Sequence, residues 1–291
     1  MPLFRRRSGR AEPEPEPARR ATREEIAQRL LAASPSGGVY LAENLLPAVR
    51  FATRRVPEAA IDLGGSKFGC SPDLPSGTAW PCWTTPEGER LPLQFFAQVD
   101  LAAAAAAAPA PLGLPTQGQF SFFADFDMNG NGVAGSQPDG SVVLYSPSDV
   151  PYARCSPRIP PLPSGELRPI GVWTWPASVP GQPELQPSEQ AALDQLAREL
   201  ELEVRREVPE LWHGTARHQL GGHVPRTIPA LAGRSGNGAD GGWRVLLHLD
   251  SDPSLDITWG DGGSVAWAAR EKDVAGAVWD AGTFTFQPSR R

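Results

Sequence analysis

The chain is 291 residues long, 40% hydrophobic and 21% charged, which suits a soluble globular protein of one large domain or two small ones. Its net charge of −6, with no basic excess in the body, argues against a nucleic-acid partner. No apolar run nears the ~20 residues of a membrane span, and three cysteines (Cys70, Cys82, Cys155) without a CxxC pair argue against a disulfide framework and against structural zinc, and point to a reducing cytoplasm.

Residues 1–20 hold six arginines and three glutamates, the glutamates alternating with proline. Alternating proline removes backbone donors and favours extended forms, so this stretch is expected to be a disordered tail. It has no apolar h-region and does not read as a secretory signal. Residues 21–291 are expected to form a single domain. Thr22 and Glu25 make a capping-box signature, with Ile26, Leu30 and Leu31 as an apolar stripe, and Ser34, Pro35 and Gly37-Gly38 end that helix. The segment GGSKFGCSPDLPSGTAWP (64–81) reads as an ordered loop ahead of a core strand, LQFFAQVD (93–100), with Trp80 and Trp83 covering the core edge. The alanine run 102–108 predicts a short helix with Asp100 near its N-cap. GQFSFFAD (118–125) is a further strand. DMNGNG (127–132) resembles the start of an EF-hand loop, but Pro138 stands where the bidentate glutamate belongs, so a turn is expected. VWTWP (172–176) places Trp173 and Trp175 on one side of a strand end, either as core packing or as a partner surface. A helix over 187–206 follows from Pro187 and the spacing of Leu193, Leu196, Leu200 and Val204. His213, His218 and His223 are five residues apart, which faces them away from one another and disfavours a transition-metal site.

Two stretches repeat a pattern. LQFFAQVD (93–100) and WRVLLHLD (243–250) both alternate, both end in aspartate, both follow a double glycine and both precede a glycine-led strand, GQFSFFAD and GSVAWAAR (263–270). The expectation is α+β: two similar, mostly antiparallel sheet-bearing halves, at about 60–165 and 210–285, produced by internal duplication and flanked by a few helices. SKFGCSPDLPSGTAWP, LPLQFFAQVDLA, GQFSFFAD, HQLGGHVP, WRVLLHLDSD and ITWGDGGSVAWAAREKDVA together resemble the YwqG-like family, a bacterial family of unknown function, over most of residues 60–280. The resemblance implies a cytoplasmic α+β protein with two similar halves, and a role as an immunity or accessory protein of a toxin system. It brings no catalytic residue set. His248 stands where a glutamine is commoner in that family, which argues against an obligatory role for it.

Strand alternation puts Gln98 and Asp100 on one side of their strand, and His248 and Asp250 on one side of theirs. Packing of the halves about a pseudo-twofold would bring these four together near the axis, with Asp252 and Asp261 close by. Such an oxygen-rich set can hold calcium or magnesium; the alternative is that the aspartates cap turns. No GxSxG elbow, Walker loop or dinucleotide fingerprint occurs, so no organic cofactor is implied. Cys70 with His218 has no supporting spacing and reads as a buried small residue. The leading expectation is a cytoplasmic binding or accessory protein without catalysis, with another protein as partner, its acidic surface suited to a basic one. The alternatives are a hydrolase-like metal enzyme using the aspartates, or small-molecule binding between the halves.

Overall fold

The computed structural model describes residues 20–85, 87–126, 140–179, 181–207, 216–223, 242–280 and 282–287. All of the expected tail but Arg20, the DMNGNG turn and His213 lie outside them. The helices are α1 (Arg23–Ala33), α2 (Gly38–Glu43), α3 (Leu101–Ala107), α4 (Pro187–Glu207) and α5 (Glu271–Ala275). The strands are β1 (Leu46–Arg55), β2 (Lys67–Phe68), β3 (Asp73–Pro75), β4 (Cys82–Thr84), β5 (Arg90–Pro92), β6 (Gln94–Asp100) and β7 (Gln119–Ala124). They continue with β8 (Ser141–Ser146), β9 (Tyr152–Arg154), β10 (Gly165–Thr174), β11 (His218–Gly221), β12 (Trp243–Asp250), β13 (Ser264–Arg270) and β14 (Thr283–Gln287).

Ten strands form one sheet, β14-β13-β12-β11-β1-β10-β2-β6-β7-β8, and every described pairing is antiparallel. The sheet curls until it is nearly closed into a barrel. Trp267 of β13 packs on Phe122 of β7 at 5.4 Å and donates its indole N–H to the Phe123 carbonyl at 3.1 Å. Aromatic rings fill the interior: Phe96, Trp259 and Trp267 are wholly buried, and Phe96 packs against both tryptophans. Burying side chains of this size is the main stabilising term of such a core.

The central pair is β1–β10, and the registers on its two flanks correspond. On one flank Lys67 faces Gln98 and Gln98 faces Ser121; on the other Gln219 faces His248 and His248 faces Ala266. Asp100 pairs with Gln119, as Asp250 does with Ser264. Both ladders slip at the same station, between Phe95 and Ala97 and between Val245 and Leu247. The expected repeat strands therefore occupy corresponding places in the sheet.

Local signals explain the helices. The capping box at Thr22 is present, with Glu25 N–H on the Thr22 hydroxyl at 3.2 Å and Thr22 N–H on Glu25 at 2.8 Å. Asp100 caps α3 through the amides of Ala102 and Ala103. The stripe on α4 buries Leu193 and Leu196 against Ile26, Leu30 and Leu41, so α1, α2 and α4 form one layer over β1 and β10. Glu189 at the start of α4 accepts from the Ser36 amide and the hydroxyls of Ser34 and Ser36, and those bonds, that of the Ser36 amide foremost, hold its carboxyl down at about 2. Trp80 does cover the core edge: it is buried, donates to the Leu93 carbonyl at 2.9 Å and meets Phe123 edge-on.

Candidate functional site

The pair Gln98 and Asp100 does not converge with the pair His248 and Asp250. The strand register puts the two-fold correspondence at the β1–β10 pair, so four strands separate β6 from β12, and Gln98 and Asp100 stand far round the sheet from His248 and Asp250. Each is used locally. Asp100 caps α3. Asp250 accepts from the Arg217 amide at 2.8 Å. Asp252 accepts from the Thr53 hydroxyl at 2.7 Å, from the Ser254 amide at 2.9 Å and from the Ser254 hydroxyl at 2.6 Å, with His218 Nε2 at 3.1 Å. Burial pushes the Asp252 carboxyl up, yet the bonds from His218, Ser254 and Thr53 outweigh it and hold the group below the ordinary range. Asp261 is exposed. Among the described residues no three His, Cys, Asp or Glu side chains gather as metal ligands.

His248 is wholly buried, and its Nδ1 donates to the Arg217 carbonyl at 2.9 Å. Burial lowers its pKa against the pull of Asp250, whose Oδ1 lies 3.3 Å from Nε2. His218 and His223 are engaged separately, His218 with Asp252 and His223 with the Asn44 carbonyl at 2.7 Å. Cys70 is buried in left-handed backbone (φ 53°), and burial pushes its thiol up, away from nucleophile chemistry.

On the first flank a polar cluster is sealed by the β3–β9 ribbon. Lys67 and Asp73 are both fully buried, with Nζ 2.7 Å from Oδ2 in an ion pair off hydrogen-bond alignment. Asp73 also accepts from Arg154 Nε at 2.9 Å, the Gly64 amide at 2.9 Å and Gln98 Nε2 at 3.2 Å. Gln98 in turn accepts from the Asp73 amide at 2.8 Å. Arg154 spends its remaining donors on the carbonyls of Glu58 and Ile61. This cluster is closed to ligands. The sequence reading named Gln98 from it but missed Lys67, Asp73 and Arg154.

The open site lies between the sheet and the helix layer. A cleft of about 480 Å³ has Arg50, Val172 and Thr174 at its floor, with Ile26 of α1 and Leu193, Ala197 and Leu200 of α4 as walls. Trp173 and Trp175 also line it and are half-buried against the same helices. Arg217 and His223 contribute polar groups. Nη1 of Arg50 is buried with no hydrogen-bond partner. Burial disfavours the Arg50 charge, Glu201 and Asp250 favour it, and Arg205 and Arg217 oppose it. Glu201 is 3.6 Å from Arg205 Nη2 and 3.6 Å from Arg217 Nε, beyond hydrogen-bond length. Strand alternation from Arg50 alone carries this information weakly, because its neighbours come from α4 and β11, more than 150 residues away.

The family model of a domain of unknown function, DUF1963, matches residues 66–287. The chain belongs to this family. No curated protein matches the chain. The DUF1963 match runs from the start of β2 to the end of β14, and so leaves α1, α2 and β1 before it. The cleft is therefore composite, with Ile26 and Arg50 before the matched region and the tryptophans, α4 and Arg217 within it. No described helix is long and apolar enough to cross a membrane.

Proposed function

We propose that this DUF1963 protein is a YwqG-like, cytoplasmic binding protein whose ligand occupies the cleft between the helix layer and the β1–β10 face. The two sheet flanks are, in this reading, copies of one unit, and the helix layer over their junction adds the site. The observation that carries it is the cleft itself: about 480 Å³, within the range for small-molecule sites, with two tryptophans on its lining and a buried, unpartnered guanidinium nitrogen at its floor. Apolar walls with a few placed polar groups are the usual composition of such sites. A protein partner of the immunity type would have to reach Trp173 and Trp175, which are half-buried against α1 and α4, so a small ligand fits better. The metal-enzyme alternative loses its geometric support with the dispersal of Asp100, Asp250, Asp252 and Asp261.

Ala197→Trp fills the cleft from α4 without removing a polar group. Ligand-observed NMR with a mixed fragment library should find binders for the native protein that are lost in a folded Ala197→Trp variant. Binding that persists in the variant, or a library without binders, would overturn the reading.

A further inference from the structure

Resting on that reading, we propose that the ligand is a small carboxylic acid with a flat apolar body, and that Arg50 anchors its carboxylate. Three independent observations point there. First, Nη1 of Arg50 is buried without a hydrogen-bond partner, and a buried charged donor left unmade is costly, so a ligand that satisfies it gains by doing so. Second, neither Glu201 nor Asp250, the carboxylates whose charges favour that of Arg50, forms an ion pair with it among the described residues.

The third observation is the corresponding place on the other flank. There the outward-facing run across the sheet is Glu166–Lys67–Gln98, and Asp73 inserts a fully buried carboxylate against Lys67 and Gln98. On the second flank the corresponding run is Arg50–Gln219–His248. Here Gln219 Oε1 and Arg50 Nη1 lack hydrogen-bond partners, His248 Nε2 stands 3.3 Å from Asp250 Oδ1 without bonding it, and no described residue forms an ion pair with Arg50. On the first flank a buried carboxylate stands on Lys67; on the second, Arg50, at the station of Glu166, borders the cleft with none. A guanidinium takes a carboxylate through two parallel N–H bonds, a geometry an ammonium such as Lys67 does not offer. Trp173 and Trp175 set the rest of the ligand, since aromatic walls favour a flat apolar body.

Calorimetric titration with phenylacetate, indole-3-acetate, phenylacetamide and phenyl phosphate tests this, on the native protein and on Arg50→Gln, Arg50→Lys and Ala197→Trp. The acids should bind about tenfold or more tighter than phenylacetamide, since charge-assisted bonds are roughly twice as strong as neutral ones. Arg50→Gln should bring acid and amide level. Should Arg50→Gln fail to fold, Arg50→Lys should weaken the acids selectively. Acid and amide binding alike, both abolished by Ala197→Trp, would overturn the carboxylate assignment and leave the cleft reading standing. Tighter binding of phenyl phosphate would replace carboxylate by phosphate. An acid preference that survives both Arg50 variants would remove Arg50 as the anchor. No binding by any probe would overturn the inference and count against the cleft.

Discussion

Replacing Asp73 by alanine is expected to destabilise the protein by about 3–5 kcal/mol, the cost of stripping one partner from a buried ion pair. The structure gives the breakdown. Lys67 has no exposed surface, so its ammonium would lose its counter-ion without gaining water. The Gly64 amide loses its acceptor, at about 1–3 kcal/mol if it stays dry, while Gln98 Nε2 keeps the Gly65 carbonyl at 3.0 Å. Arg154 is about a quarter exposed and keeps two carbonyl acceptors, so it adds little. Lys67→Met is the contrasting change. It removes a charge that burial disfavours, and leaves Asp73 bonded to Arg154, Gly64 and Gln98. Its cost should be only about 1–2 kcal/mol, below that of an uncompensated buried charge, because Arg154 remains as the counter-ion of Asp73. The double variant should cost less than the sum, showing coupling. Urea unfolding followed by tryptophan fluorescence at pH 7 measures all three. Equal losses for Asp73→Ala and Lys67→Met, or a loss under about 1 kcal/mol for Asp73→Ala, would refute the reasoning.

Acid should act through Asp73 and Asp252, whose folded carboxyls are both held below their unfolded values. Their contribution is full above the unfolded pKa of about 3.9 and is lost as pH falls through the lowered folded values; Asp252→Asn should flatten the acid limb of a stability–pH curve, and an unchanged limb contradicts this. Gly69→Ala should destabilise by about 1–3 kcal/mol in the same urea assay. Its φ is +61°, and a Cβ there would strike the carbonyls of Pro163 and Leu162. Asp100→Ala should cost about 1 kcal/mol through the lost α3 cap and leave fragment binding at the cleft unchanged; lost binding would restore Asp100 as a site residue.

What was legible in the sequence is what local chemistry decides. The Thr22 capping box, the Asp100 cap and the α4 stripe each sit within a turn or two of chain, and each formed as read. The alternation of LQFFAQVD and WRVLLHLD gave their strands, and their common ending reflects corresponding stations in the sheet. The placing of the junction was not legible. Gln98 and Asp250 would meet only if β6 and β12 were neighbours, and that depends on β1 and β10 being interposed, which no local signal states. The same limit hid Asp73 and Arg154, 81 residues apart, whose pairing follows from the β3–β9 ribbon. Trp173 and Trp175 were visible as a pair on one strand end, but their cleft exists only once α1 and α4 lie over that strand.

Fluorine NMR on protein labelled with 5-fluorotryptophan tests the central claim most directly, because each of the nine tryptophans reports separately. Trp173→Phe and Trp175→Phe assign the two cleft signals. Adding phenylacetate should shift those two and leave Trp259 and Trp267, buried in the barrel interior, unmoved. Shifts confined to other tryptophans, or no shift at millimolar probe, would contradict a ligand site between the helix layer and the β1–β10 face.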